Sequence, residues 1–192
     1  MPQLGASIAK LKQELKNCLH LVFACPLRFD IPLEKKWCRE RTKKPEDEHE
    51  FYILGYKVVI NDNKPELSYF RLSIGTIYLF RLSLKSSHLV TDSTHCMIWN
   101  GFPVFLTCTT DLGRRFHPFC LSVCTNKDNA DFTFIFQTWK RNVELFFKTI
   151  YVPSILMADA AASITIAFNV VFGPNFIRLM CYFHAERSCA CR

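Results

Sequence analysis

The chain has 192 residues, 49% of them hydrophobic, with 18 Phe, only 6 Gly and a formal charge of +7. So much apolar side chain excludes a disordered or fibrous polypeptide and implies one buried core of ordinary domain size plus an extension. The basic surplus permits an anionic partner without demanding one: 15 basic and 10 acidic side chains precede Asp92, and 9 and 7 follow from there.

Leu4, Ile8, Leu11, Leu15 and Leu19 recur at helical spacing among Lys10, Lys12, Glu14 and Lys16. This predicts an amphipathic helix rather than a secretory leader, so an intracellular location, nuclear or cytoplasmic, is expected. In that reduced setting the 10 cysteines read as small buried hydrophobes, Cys108, Cys120 and Cys124 among them. No membrane span is expected. Arg71 and Arg81 interrupt the apolar run 69–84, and Asp159 and Asn169 interrupt 155–172. Residues 33–50 are first basic and then acidic, as in a solvated linker. His20, Cys25, Cys38 and His49 lack the tight pairs of a zinc module. Phe51 to Ile60 is strand-like and ends at the turn signal Asn61-Asp62-Asn63; Leu67 to Leu84 fits strand or helix equally. Residues 1–86 are read as an N-terminal extension and 87–192 as a domain.

From Ser87 the pattern sharpens. Strands are predicted over 88–94, 102–109 and 116–125, joined through Asn100-Gly101 and the hairpin Asp111-Leu112-Gly113. Polar residues 126–129 supply caps for a long helix over 130–148. Its apolar stripe is Phe132, Ile135, Phe136, Trp139, Val143, Phe146 and Phe147. A fourth strand ends at Asp159. A helix over 160–172 stops at Gly173-Pro174, a fifth strand covers 176–181, and a last helix starts at His184. Short loops make the first three strands an antiparallel meander. Strands reached through helices add in parallel by the right-handed crossover rule. The fold class is therefore α/β, a mixed sheet with helices on its faces.

Two acids stand out because Asp is depleted in strands. Asp92 lies inside the first strand of this set and Asp159 ends the fourth. Carboxylates converging at adjacent strand ends are the hard oxygen ligands that hold divalent metal over a phosphodiester. Singly, Asp159 reads as a helix N-cap and Asp92 as a hydrogen-bonded strand acid; together, in this strand order, they favour metal. Cys181 and His184 form Cys-x-x-His, a zinc half-site that Cys189 and Cys191 could complete; a buried cysteine and a core or capping histidine are the equal alternative. Arg114 and Arg115 at the hairpin could meet phosphate, although an exposed basic turn is the ordinary reading. His88, His95 and His117 read as structural.

Several segments resemble Mutator-like element (MULE) transposases, in order and at matching spacing over about 87–189. They are Asp92-Ser93-Thr94 with Gly101-Phe102-Pro103-Val104-Phe105, Phe116-His117-Pro118, and Asp131-Phe132-Thr133-Phe134. Met157-Ala158-Asp159-Ala160-Ala161, Val171-Phe172-Gly173 and Arg178-Leu179-Met180-Cys181-Tyr182-Phe183-His184 follow. The resemblance implies an RNase H-like mixed sheet, incomplete at its C-terminus. It also implies a DDE-type triad using Mg²⁺ or Mn²⁺ to cut and join DNA at transposon ends. Asp92 and Asp159 would be its first two carboxylates and Cys181 and His184 the family's Cys-x-x-His signature, with Zn²⁺ a further candidate ion. No residue matches the third acid, Glu186 being too early. A catalytically incomplete transposase fragment is expected, with a non-catalytic nucleic-acid- or protein-binding module as the alternative. A sheet face lacking its last covering helix predicts self-association.

Overall fold

The computed structural model describes residues 38–61, 63–64, 67–94, 102–111, 113 and 115–180. The predicted helix near the N-terminus, the Asn100-Gly101 turn and the helix starting at His184 lie outside these residues.

Among the described residues, the chain is helical over 38–40 and then forms, in order, β1 (Tyr52–Val59), β2 (Tyr69–Gly75), α1 (Ile77–Ser83), β3 (His88–Thr94), β4 (Val104–Thr110), β5 (Phe116–Cys124), α2 (Asn129–Phe147), β6 (Ile155–Ala158), α3 (Ala162–Phe172) and β7 (Ile177–Met180). The strands form one sheet in the order β1-β2-β5-β4-β3-β6-β7. The predicted meander is present. β3 pairs antiparallel with β4, and β4 with β5 through the hairpin at Asp111, whose N–H donates to the Arg115 carbonyl. The strands reached through helices are parallel, β6 to β3 and β7 to β6.

The ambiguous stretch 67–84 contains both elements. It is a strand to Gly75 and then a short helix, because the Thr76 hydroxyl accepts the Leu79 N–H and caps the turn. β1 and β2 pair antiparallel with each other, and β2 pairs with β5, so residues from before Ser87 extend the same sheet.

Strand alternation sorts side chains to two faces. On one face Tyr52, Leu89, Phe105, Phe119 and Leu156 meet Phe132, Ile135, Phe136, Trp139 and Val143 of α2, all 5% exposed or less. Ile77, Leu79 and Phe80 of α1 and Ile164, Ala167 and Phe168 of α3 join the same cluster. These three helices thus pack into one core on this face. The other face carries Ile53, Phe70, Leu72, Ile74, Val104, Leu121 and Val123, with Cys38 against them.

The predicted stripe of α2 is the buried one, and its polar lead-in does cap it. Asp128 accepts the Asp131 N–H, while the Asp131 carboxylate accepts the Asp128 N–H. A bulge near Gly55 brings β1 close to α2. A Cβ there would stand 2.9 Å from Thr138 Cγ2, so any side chain would force Thr138 to shift.

Candidate metal centre at the strand ends

β3, β5 and β6 run in the same direction, since β5 and β3 each pair antiparallel with β4 and β6 is parallel to β3. Their carboxyl ends therefore share one edge of the molecule. In open α/β sheets such edges are where ligands settle, because loops leave there and helices begin there.

Asp92 and Asp159 both lie at this edge. The last described β3–β6 pair is Val90 opposite Met157. Beyond that pair β3 continues to Asp92, and the chain leaving β6 after Ala158 continues to Asp159. Asp92 is exposed and sits opposite Leu106 of β4. Alternation from Val90 puts its side chain on the face away from the helices. Cys108, on the same face, has its thiol pushed up to about 12, by burial first and then by the negative charge of Asp92.

Asp159 is more enclosed. Its Oδ1 accepts the Ala161 N–H at 2.9 Å, turning the chain towards α3. This is the local role that sequence assigned to it in part, although the residue that caps α3 is Ala161 and not Asp159. Asp159 Oδ2 lies 3.2 Å from Lys127 Nζ. Lys127 comes from the segment between β5 and α2. Arg178 of β7 crosses underneath, donating from Nη1 to the Ala158 carbonyl and from Nη2 to the Asp159 carbonyl, with Nε on Thr165 Oγ1. Desolvation pulls the Arg178 pKa down, and the Asp159 charge works against this.

Lys127 and Arg178 were not singled out as site residues from sequence. Lys127 sat inside a run whose neighbours all read as helix caps, and Arg178 looked like an ordinary strand residue. Only the parallel pairing of β6 with β3 and β7 brings them to Asp159.

The other candidates fall elsewhere. Arg115 lies at the β4–β5 hairpin, at the opposite end of the sheet from the two acids. The hairpin also borders an open cleft of about 590 Å³, lined by Lys85, His88, Thr110, Asp111 and His117 among others. His88 is held there by the Ser86 and Thr110 hydroxyls at 2.8 and 2.6 Å, and His117 Nε2 meets Asp111 Oδ2 at 3.0 Å. Both are hydrogen-bonded as structural histidines are. Arg114, Cys181 and His184 lie outside the described residues, as do His95, Cys189 and Cys191. Cys108, Cys120 and Cys124 are free and buried, as expected.

Comparison of the chain with protein-family models, with curated proteins and with solved structures finds no match in any of the three.

The donor set suits a hard divalent ion in kind but not in number. Asp92 and Asp159 supply only two carboxylates at this edge; Asp92 Oδ1 accepts the Ser93 N–H, and the ammonium of Lys127 already stands where a cation would on Asp159. Among the described residues no group of three or more His, Cys, Asp or Glu side chains is placed to hold a metal ion. No described helix is long and apolar enough to cross a membrane.

Proposed function

We propose that the chain carries an RNase H-like core of the MULE transposase type and that its strand-end carboxylates bind Mg²⁺ or Mn²⁺ for work on DNA strands. The observation that carries this reading is the register of β3 and β6, which brings Asp92 and Asp159 to one edge from 67 residues apart in sequence. The strand order supports it further. Within the larger sheet, β5-β4-β3-β6-β7 is an antiparallel meander followed by two parallel strands, each entered through a helix. That is the arrangement an RNase H-like fold requires.

In this reading Asp92 and Asp159 would hold the ion, which supplies polarisation of a phosphodiester oxygen. The rest of the site belongs to the chain itself. Ala161 N–H and Arg178 fix Asp159 at side chain and backbone, and β4 fixes Asp92 through the Leu106 pairing. Two carboxylates hold one ion weakly, so DNA binding is expected and efficient strand cleavage is not. One observation favours a non-catalytic nucleic-acid-binding module instead: Asp159 already has a cation partner, and a carboxylate so paired is stable without metal.

The test is Mn²⁺ titration into the wild-type chain and into Asp92→Ala and Asp159→Ala. Loss of binding in both variants, with circular dichroism unchanged, is expected if the two strand ends form one site. A folded wild type that takes up no Mn²⁺ would rule the metal reading out.

A further inference from the structure

The charge run over 39–50 divides in the folded chain. Its acidic half lies against α1. There Glu48 pairs with Arg81, the Glu48 carbonyl accepts the Tyr78 N–H at 3.0 Å, and the rings of His49 and Tyr78 have centroids 4.4 Å apart. Its basic half lies beside β1, where the Arg41 carbonyl accepts the Ile53 N–H at 2.9 Å. This brings Lys44 to an open cleft of about 840 Å³, which β1 and the last two turns of α2 also line. The helix contributes Arg141, Leu145 and Phe146, and Lys148 follows as its cap. Among the described residues no acid lines the cleft, and none of Lys44, Arg141 and Lys148 pairs with a carboxylate. Glu144, between the two helix cations in sequence, is half-buried and pairs with neither of them.

We propose that this cleft binds a short stretch of single-stranded nucleic acid, with phosphates on Lys44, Arg141 and Lys148 and a base against Leu145 and Phe146. The inference rests on the proposed work on DNA strands but on none of its metal chemistry. Three like charges around one cleft repel one another, and a bound polyanion relieves that repulsion. Lys148 has a local role as well, since a cation at a helix C-terminus complements the helix dipole. Lys44 rests over the Phe146 ring, 5.5 Å from its centroid, which leaves its charge without an anion. Arg141 has neither compensation. Arg141 and Lys148 are about 10 Å apart along the helix axis, so successive phosphates of one strand serve them better than a single phosphate ion. Leu145 lies between them with 58% of its surface exposed, and Phe146 is half-buried beside it. Apolar surface set between cations suits a strand that alternates charged phosphate with the flat face of a base. In a duplex those faces are stacked inside and are not offered. Three strands separate β1 from β3 in the sheet, so the contact involves neither Asp92 nor Asp159.

The experiment is fluorescence anisotropy of labelled oligothymidylate with the full chain, taken between about 50 and 200 mM salt. Arg141→Gln combined with Lys148→Gln is compared with wild type and with Lys64→Gln combined with Lys85→Gln. The second pair removes the same charge from exposed positions outside the cleft. Circular dichroism checks folding. The cleft pair is expected to weaken binding about ten- to hundredfold at the low-salt end. It should also flatten the slope of log affinity against log salt by about 1.4, or about 0.7 for each lost phosphate contact. The control pair should keep the wild-type slope. Equal slopes in the two pairs would overturn the cleft as the site and leave nucleic-acid binding standing. A wild type that binds no oligothymidylate would overturn the cleft and the nucleic-acid reading together. Equal affinity for a duplex, or displacement of the strand by polyglutamate at equal charge, would overturn the choice of single strand and make the cleft a general polyanion surface.

Discussion

At the scale of single residues, one carboxylate shows how partners set a side chain's role. Asp111 turns the β4–β5 hairpin. Its Oδ1 accepts the Arg115 N–H at 2.9 Å and its Oδ2 meets His117 Nε2. The Arg115 N–H first, and then His117, hold its carboxyl below the usual carboxylate range. A depressed acid contributes stability that is present above its unfolded pKa of about 3.9 and is lost as pH falls through the lower folded value. Thermal melts taken from about pH 5 downward should therefore decline less steeply in Asp111→Asn than in wild type. Asp92 and Asp159 show what a residue-level reading can and cannot reach. Both were visible as acids in strand patterns. The ammonium on Asp159 was not, because nothing in the local sequence ties Lys127 to a residue 32 positions later.

Elements were the most legible scale. The stripe and caps of α2 and the hairpin at Asp111 follow from period and turn chemistry alone. Strand and helix ends came within a few residues, as fraying termini allow. The stretch 67–84 resisted because a short buried strand and a short buried helix have the same apolar composition. Thr76, as a cap between them, is the signal that separates the two. Gly173 ends α3 at φ 88° and ψ 175°, backbone space that is essentially closed to residues with a Cβ. A Cβ there would meet nothing within 4 Å, so the constraint is conformational and not steric crowding by neighbours. Gly173→Ala should cost about 1–3 kcal/mol in urea denaturation. Because the strain is local, the denaturant slope should remain as in wild type.

For the molecule as a whole, the decisive contact joins β2 to α2. Arg71 Nε meets Asp131 Oδ1 at 2.6 Å, with side chains 9% and 0% exposed. Burial raises the Asp131 carboxyl above its ordinary range, and the Arg71 hydrogen bond opposes that shift. Asp131 also closes the capping box of α2, so one carboxylate ties the start of the long helix to a strand contributed from before Ser87. Arg71→Met would leave that charge buried without its partner and should destabilise the chain by about 3–5 kcal/mol, measured by urea unfolding. Arg71→Met with Asp131→Asn should recover part of the loss, because the stranded charge is gone.

Sequence by itself determined where the chain is apolar, with what period, and where it turns. These are local properties, set by side-chain chemistry over a few residues. They were enough for α/β class, for the β3–β4–β5 meander and for parallel addition of later strands through helices. They were not enough for pairings between distant segments. Only the tertiary structure decided that β1 and β2 join the sheet at β5, that the three helices share one core, and that Lys127 and Arg178 meet Asp159. Such contacts depend on which hydrophobic faces find each other, and many partners satisfy the same local pattern until the whole sheet closes over its core.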